Sequence, residues 1–251
     1  ETSLSDGLLY DGGSDDDLGY DDGIRDFPSF VQRAINSNQK LDRSNFKTYE
    51  LANAGREFVN SELWVIQEGD VPLDNSLSFT YGDELDIGIE DILDDESATI
   101  GVLLTAGVKS SWETQEGIRQ TGDIQGQGDG TSIVIRGNDK TFKSTSNNVT
   151  TYLMGVAGIE TDTAELKYTG MFIHKGTKEA RTLQGYDTSD SGNVREDFTE
   201  FFERELTNHQ LNYNYIFQND MELDVRLAGG DASRYAPYER VVFYEDTDDR
   251  G

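Results

Sequence analysis

Residues 75–87 repeat with a period of two, and few folds tolerate such a pattern. The odd positions are Leu77, Phe79, Tyr81, Asp83, Leu85 and Ile87, and the even positions are Ser76, Ser78, Thr80, Gly82, Glu84 and Asp86. One face is apolar apart from Asp83, and the other is wholly polar or glycine. A strand sends successive side chains to opposite faces, so the segment reads as a strand with one wet and one apolar side. Ala98–Glu113 repeats the pattern at greater length. Ile100, Val102, Leu104, Ala106 and Val108 share one face with Trp112, while Thr99, Gly101, Thr105, Gly107, Lys109, Ser111 and Glu113 share the other, with Leu103 as the exception.

Three further segments agree. Ala164, Leu166, Tyr168 and Phe172 oppose Glu165, Lys167 and Thr169; Leu211, Tyr213, Tyr215 and Phe217 oppose Gln210, Asn212 and Asn214; Met221, Leu223, Val225 and Leu227 oppose Glu222, Asp224 and Arg226. Asn147–Gly158 is strand-like with both faces mixed, so the pattern does not say which side faces out. Globular strands usually run about 5–6 residues, and these run far longer. The connections also alternate in length. Short acidic turns follow Ile87, Ile159 and Phe217, whereas long excursions occupy Tyr10–Asp74 and Gly117–Ser146, with a shorter one near Tyr186–Arg195. Short turns at one end and long loops at the other are the mark of an outer-membrane barrel.

The fold expected from these patterns is all-β: an antiparallel up-and-down meander, a partial transmembrane β-barrel with long extracellular loops and short periplasmic turns. It forms one domain over residues 1–251, with residues 10–74 as the first extracellular loop and 75–251 as successive hairpins. Thr2–Leu9 would be the first rising strand, followed by Asn75–Ile87, Ala98–Gln115, Asn147–Gly158, Ala164–Gly185, Asp197–Phe217 and Met221–Tyr244. In this threading Leu77, Phe79, Ile100, Val102, Leu104, Trp112, Tyr213, Leu223 and Val225 face lipid, Trp112 as part of an aromatic girdle. Lys109, Glu113, Glu165, Lys167, Asp224 and Arg226 face the lumen.

Composition narrows the function. Asp and Glu number 49 against 21 Lys and Arg, a net charge of −28, which a phosphate backbone would repel, so no nucleic-acid partner is expected. There is no Cys and there are only two His, His174 and His209, so neither a thiol nucleophile nor a Cys/His metal centre is available. No run approaches the ~18 apolar residues of a transmembrane helix, which leaves a barrel as the only way to span a bilayer. The chain opens at Glu1 with no basic, apolar leader, from which a removed signal or a longer parent is expected.

Within the first excursion, Pro28–Ser37 and Arg43–Val59 have helical spacing, with Ser29 and Ser44 as caps. Their apolar side chains, chiefly Phe30, Val31, Ile35, Phe46, Leu51 and Phe58, are too few to cover the apolar stripes of the strands. Asp11–Gly23 is acidic and of low complexity. It offers oxygen ligands for Ca²⁺, but Tyr20 stands where the EF-hand turn needs glycine, and a solvated loop is the simpler reading. Gly126-Gln-Gly128-Asp-Gly130 lacks the strand-to-helix setting of a phosphate cradle. Asn148-Val-Thr150 matches a glycosylation sequon inside an expected strand. Among 49 carboxylates no glycosidase pair stands out. No catalytic constellation, cofactor or metal site is expected, and the chain is read as a non-enzyme.

Three runs carry a family resemblance. Asp21-Asp-Gly-Ile-Arg-Asp-Phe-Pro28 is similar to an Asp-Asp-Gly-x-Arg-x-x-Pro loop early in the barrel of some TonB-dependent outer-membrane receptors. Pro72-Leu-Asp-Asn-Ser-Leu-Ser-Phe-Thr-Tyr-Gly-Asp83 resembles the strand that follows it there. Phe202-Glu-Arg-Glu-Leu-Thr-Asn-His-Gln-Leu211, continuing to Ala236-Pro-Tyr-Glu-Arg240, resembles a later strand pair. The signal peptide, TonB box, plug and closing aromatic strand of that family are not seen, and its barrel has ~22 strands, so a fragment covering about the first third is expected. The resemblance implies a bacterial outer-membrane location and TonB-energised uptake of a scarce nutrient. The implied partners are outer-membrane lipid, the TonB complex acting through the missing plug, and a small nutrient ligand. A passive porin-type barrel and a soluble acidic β-rich surface or binding module are the alternatives.

Overall fold

In the computed structural model the described residues are 6–59, 62–88, 97–127, 130–134, 137–188 and 192–245. The chain is mostly β. Its main body is a six-stranded antiparallel meander of β3 (Asn75–Gly88), β4 (Ser97–Gln120), β7 (Asp139–Thr161), β8 (Ala164–Asp187), β9 (Gly192–Ile216) and β10 (Glu222–Glu245), in the order β10-β9-β8-β7-β4-β3. Two short ribbons accompany it. β1 (Asp6–Leu9) pairs with β2 (Gln67–Asp70), and β5 (Asp123–Gln127) pairs with β6 (Gly130–Val134). The strands β4, β8 and β10 hold 24 residues each, roughly 80 Å at ~3.3 Å per residue.

The alternation sets which elements form, and they reach further than the patterned stretches. Ala98–Gln115 extends to Ser97–Gln120, and Asn147–Gly158 extends to Asp139–Thr161. The added residues are mostly polar, and Ile118, Phe142 and Ile159 among them are too sparse to form an apolar period; they are held by ladder pairs such as Gln120–Asp139. The expected excursion at 117–146 therefore shrinks to residues 121–138, and its glycine-rich segment is a hairpin in which Gln127 pairs with Gly130. Gly128 and Asp129 lie outside the described residues.

Three sequence expectations fail. The first rising strand is not part of the main sheet: β1 pairs with β2 alone, closing the neck of the first excursion as a ribbon, and Thr2–Ser5 lie outside the described residues. The strict short–long alternation of connections does not hold either, because only residues 188–191 separate β8 from β9. Finally, the helices are shorter and capped differently. They are α1 (Ser29–Asn36) and α2 (Thr48–Val59). Pro28, not Ser29, holds the N-cap position of α1, with no side-chain cap. Ser44 is drawn into a turn by Asp42, whose Oδ1 accepts from the Ser44 and Asn45 amides, while Glu50 reaches back to accept from the Lys47 N–H at 2.8 Å, half of a capping box.

Register decides which residues share a face. Leu153 pairs with Ala106 and with Phe172, so the odd residues of β7 join the apolar side, the side its own pattern left open. From β4 through β9 the ladders run without a shift. One irregularity lies in β10, between Tyr235, opposite Glu203, and Tyr238, opposite Phe201. Two residues, Ala236 and Pro237, there stand against one, which is a bulge on an edge strand, where a proline without an N–H is tolerated. The extra residue reverses the parity of β10 and turns Tyr238 onto the face of Phe201.

Tyr238 is buried there with Leu63 and Phe201. Its hydroxyl donates to the Leu63 carbonyl at 3.1 Å and shares a 3.0 Å hydrogen bond with Thr199 Oγ1. Tyr238→Ala strips the cluster of its ring as well as its hydrogen bonds. Tyr238→Phe keeps the ring and loses only hydrogen bonds, at about 1 kcal/mol. Thermal unfolding in detergent should rank Tyr238→Ala well below Tyr238→Phe; equal losses would show that the ring does not fill the cluster with Leu63 and Phe201.

Candidate functional site

The banded face of the sheet divides into two zones. Near the turn end lies an apolar band. One row across it reads Leu85, Ile100, Ile159, Leu166, Tyr213 and Val225 from β3 to β10. Away from the turns the band continues through Leu77 on β3 and Val108 on β4, through Leu153 and Phe172 on β7 and β8, and only to Leu211 and Leu227 on β9 and β10. It is thus slanted across the hydrogen-bond rows. Nothing among the described residues covers it: Leu77 is 74% exposed, Phe79 60% and Val102 44%. Asp83, the charge within the band, accepts a 3.0 Å hydrogen bond from the Tyr81 hydroxyl.

All nine residues expected to face lipid (Leu77, Phe79, Ile100, Val102, Leu104, Trp112, Tyr213, Leu223 and Val225) lie on this face, Trp112 beyond the band with its amide on Asp74 Oδ1 at 2.7 Å. All six expected to face the lumen lie on the opposite, polar face. Four of them come together. Glu165, Lys167, Asp224 and Arg226 line an open hollow of about 540 Å³ with Asn212 and Asn214. Arg226 grips Asp224 through Nε and a terminal nitrogen, at 2.9 and 2.7 Å. Glu165 and Lys167 also line a second hollow of about 540 Å³ where Gly82, Gly101 and Gly158 leave the sheet without side chains. Lys109 and Glu113 stand apart, further along β4. The polar face holds amides, opposed charges and a hydroxyl–carboxylate contact, in which the Thr99 hydroxyl donates to Asp86 Oδ1 at 2.7 Å.

Beyond the band, the same face is covered by the first excursion. The acidic stretch expected to be a solvated loop is instead organised around Arg25, whose side chain is 0% exposed. Arg25 holds Asp16 at 2.6 Å and Asp21 at 3.0 Å, and its guanidinium lies 4.0 Å above the Phe201 ring of β9. Lys178 of β8 reaches Asp16 at 2.8 Å and lies 4.6 Å above the Tyr10 ring. Burial opposes the Arg25 charge, but the hydrogen bond and charge of Asp16 outweigh it, so the guanidinium titrates above its ordinary range. Burial likewise pushes the Tyr10 phenol up, which keeps it a donor to the Glu200 carbonyl at 2.7 Å.

The chain is shaped for this contact. Gly19, at φ +81°, ends the 3-10 turn Asp16–Leu18 in a left-handed conformation. Its carbonyl accepts from His174 Nε2 at 2.9 Å, the His174 and Tyr20 rings stack at 3.7 Å, and a Cβ on Gly176 would collide with Gly19. Gly23, at φ +87°, turns the chain between Asp22 and Arg25, while Asp22 accepts from the Ser14 and Ile24 amides. The stretch from Tyr10 to Arg25 is thus the docking segment of the excursion, while Ile24 and Phe27 stay about half exposed. Its sequence signal was a lone arginine among seven aspartates between Asp11 and Asp26; its partners Lys178, Phe201 and Glu203 are too distant in sequence to be inferred. Among the described residues, no group of three or more His, Asp or Glu is placed to hold a metal ion.

No protein-family model matches this chain, and no curated protein matches it.

Arg25→Met should leave Asp16 and Asp21 without their shared cation. Breaking a buried pair costs about 3–5 kcal/mol, so hydrogen exchange at the amides of residues 10–26 should accelerate about 100-fold or more while exchange within β7 to β9 stays unchanged. Unaltered protection at residues 10–26 would remove Arg25 as the anchor.

Proposed function

We propose that the chain forms part of the wall of a β-barrel in the bacterial outer membrane, belonging to a receptor that takes up a scarce nutrient with energy delivered through TonB. The observation that carries this reading is the exposed apolar band. On β3 and β4 it runs from Leu77 to Leu85 and from Ile100 to Val108, nine residues each, the length a tilted strand needs to cross a bilayer, about 9–11 residues. Its slant supports the same reading, because a slab of constant thickness cuts tilted strands at successively shifted rows.

The opposite face supports a water-filled or plug-facing interior, since Glu165, Lys167, Asp224 and Arg226 stand at the same height as the band. β3 and β10 each pair along one edge among the described residues, and a barrel supplies partners for both, removing edges of this length from solvent. The receptor class rests on the resemblance of Asp21–Pro28, whose Asp21, Asp22, Gly23 and Arg25 each have a defined role in seating the excursion. In this reading the wall is passive: it carries the outer loops and encloses a plug, TonB acts on the plug, and no residue of the chain performs covalent chemistry. A soluble binding module would have to cover Leu77, Phe79, Val102 and Leu104, and no described residue does so.

Val102→Arg should impair assembly into the outer membrane, at a cost of about 2–4 kcal/mol near the midplane, whereas Thr105→Arg on the polar face should assemble normally. The readout is the heat-modifiable, folded fraction in outer-membrane preparations of cells expressing each variant. Equal damage at the two positions, or a monodisperse wild-type monomer in detergent-free buffer, would overturn the membrane reading.

A further inference from the structure

We infer that the excursion of residues 10–74 sits on the lipid-side surface of the wall, as an external saddle above the bilayer, with its lower rim at Leu18 resting in the lipid headgroup layer. This rests on the reading of the apolar band as membrane-facing. It departs from the simplest picture of a long barrel loop, one that closes over the lumen.

Parity carries the argument. Ladders from β4 to β9 have no register shift, so two residues on one side of the sheet at the turn end remain on one side at the loop end. Leu153 and Phe172 end the band on β7 and β8. The next residues on that side are Thr151 and His174, and then Val149 and Gly176. Tyr20 stacks on His174, and Gly19 lies against Val149 and Gly176. Further along the same side, Thr145 accepts from the Leu8 amide at 2.9 Å, Ala180 packs with Leu8 and Tyr10, and Phe201 lies beneath Arg25. The excursion and the band therefore occupy one face, and the hollows at Glu165 and Lys167 occupy the other.

The rim has the position and the side chains for a lipid interface. Tyr20 stacks on His174, two residues past Phe172 and roughly 5 Å above the band once strand tilt is allowed for, within the about 5–8 Å that the headgroup layer adds to each side of the hydrocarbon. In an otherwise acidic turn, Leu18 is 54% exposed while its neighbour Gly19 is buried. An exposed leucine beside a tyrosine, on the face that carries the apolar band, fits an interfacial environment better than open water. Of the aspartates near it, Asp16 and Asp21 are turned inward onto Arg25, while Asp15 and Asp17 stay exposed.

The chain contains no cysteine, so a single introduced cysteine carries a nitroxide cleanly. The full chain, reconstituted in phosphatidylethanolamine–phosphatidylglycerol vesicles, would be labelled in separate preparations at Asp11, Leu18, Val102 and Thr105. Accessibility to oxygen and to a water-soluble nickel chelate then gives depth. The expected result is a deep label at Val102, a headgroup-depth label at Leu18 with chelate access several-fold below that at Asp11, and loss of that depth at Leu18 alone when Arg25→Met is added. A Leu18 label as open to the chelate as Asp11, with Val102 still in lipid, overturns the saddle and leaves the band reading standing. A Val102 label in water overturns both.

Discussion

Backbone register is the constraint on which the rest of this structure depends. Five strands of 23–25 residues pair with one another, and from β4 to β9 no bulge interrupts them. Side chains that start on one side of the sheet stay there for the whole length of a strand. An apolar band at one end and a binding surface for the first excursion at the other are therefore two halves of a single face, joined through the peptide ladder. The one bulge, at Ala236 and Pro237, shows what parity is worth: its one-residue shift of register sets Tyr238 opposite Phe201, in the cluster with Leu63, where an unbroken ladder would set it opposite Glu200 on the polar face.

Polar contact, more than apolar burial, holds the excursion to that face. Its buried apolar side chains are few, Leu8, Tyr10, Val31, Ala34 and Leu63 among them. The contact is completed by a buried guanidinium with two carboxylates, an ammonium from β8 and a ring from β9. Such a cluster gives little net stability when complete and a large penalty when one member is lost. It acts chiefly as a positional lock, since Arg25 is satisfied only where Asp16, Asp21 and Phe201 meet. The high negative charge of the chain, −28 in all, is, in this region, partly neutralised inside the fold.

An all-β meander was legible in the two-residue period, because the strands are wet on one side and apolar on the other along the stretch from Leu77 to Val108. The polar extensions of β4 and β7 were not legible, since Ser144, Glu116 and their neighbours have no side-chain period and are strand only because a partner strand pairs with them. The separation of Lys109, Glu113, Glu165, Lys167, Asp224 and Arg226 from the apolar stripe follows from local alternation. The hollows at Glu165 and Lys167 do not, because they need β7, β8, β9 and β10 set side by side.

By itself the amino-acid sequence determined the alternation, the absence of any thiol, and the grouping of side chains into two chemically distinct sets. Those are local properties, carried by covalent spacing within one strand. Only the tertiary structure decided that β1 leaves the main sheet for a ribbon with β2, that Arg25 is a buried anchor rather than one charge in a solvated acidic loop, and that the first excursion lies on the same face as the apolar band. Each of these depends on pairing between residues far apart in the chain, such as Asp16 with Lys178 and Tyr20 with His174, whose side chains meet only after the ladders have fixed their register.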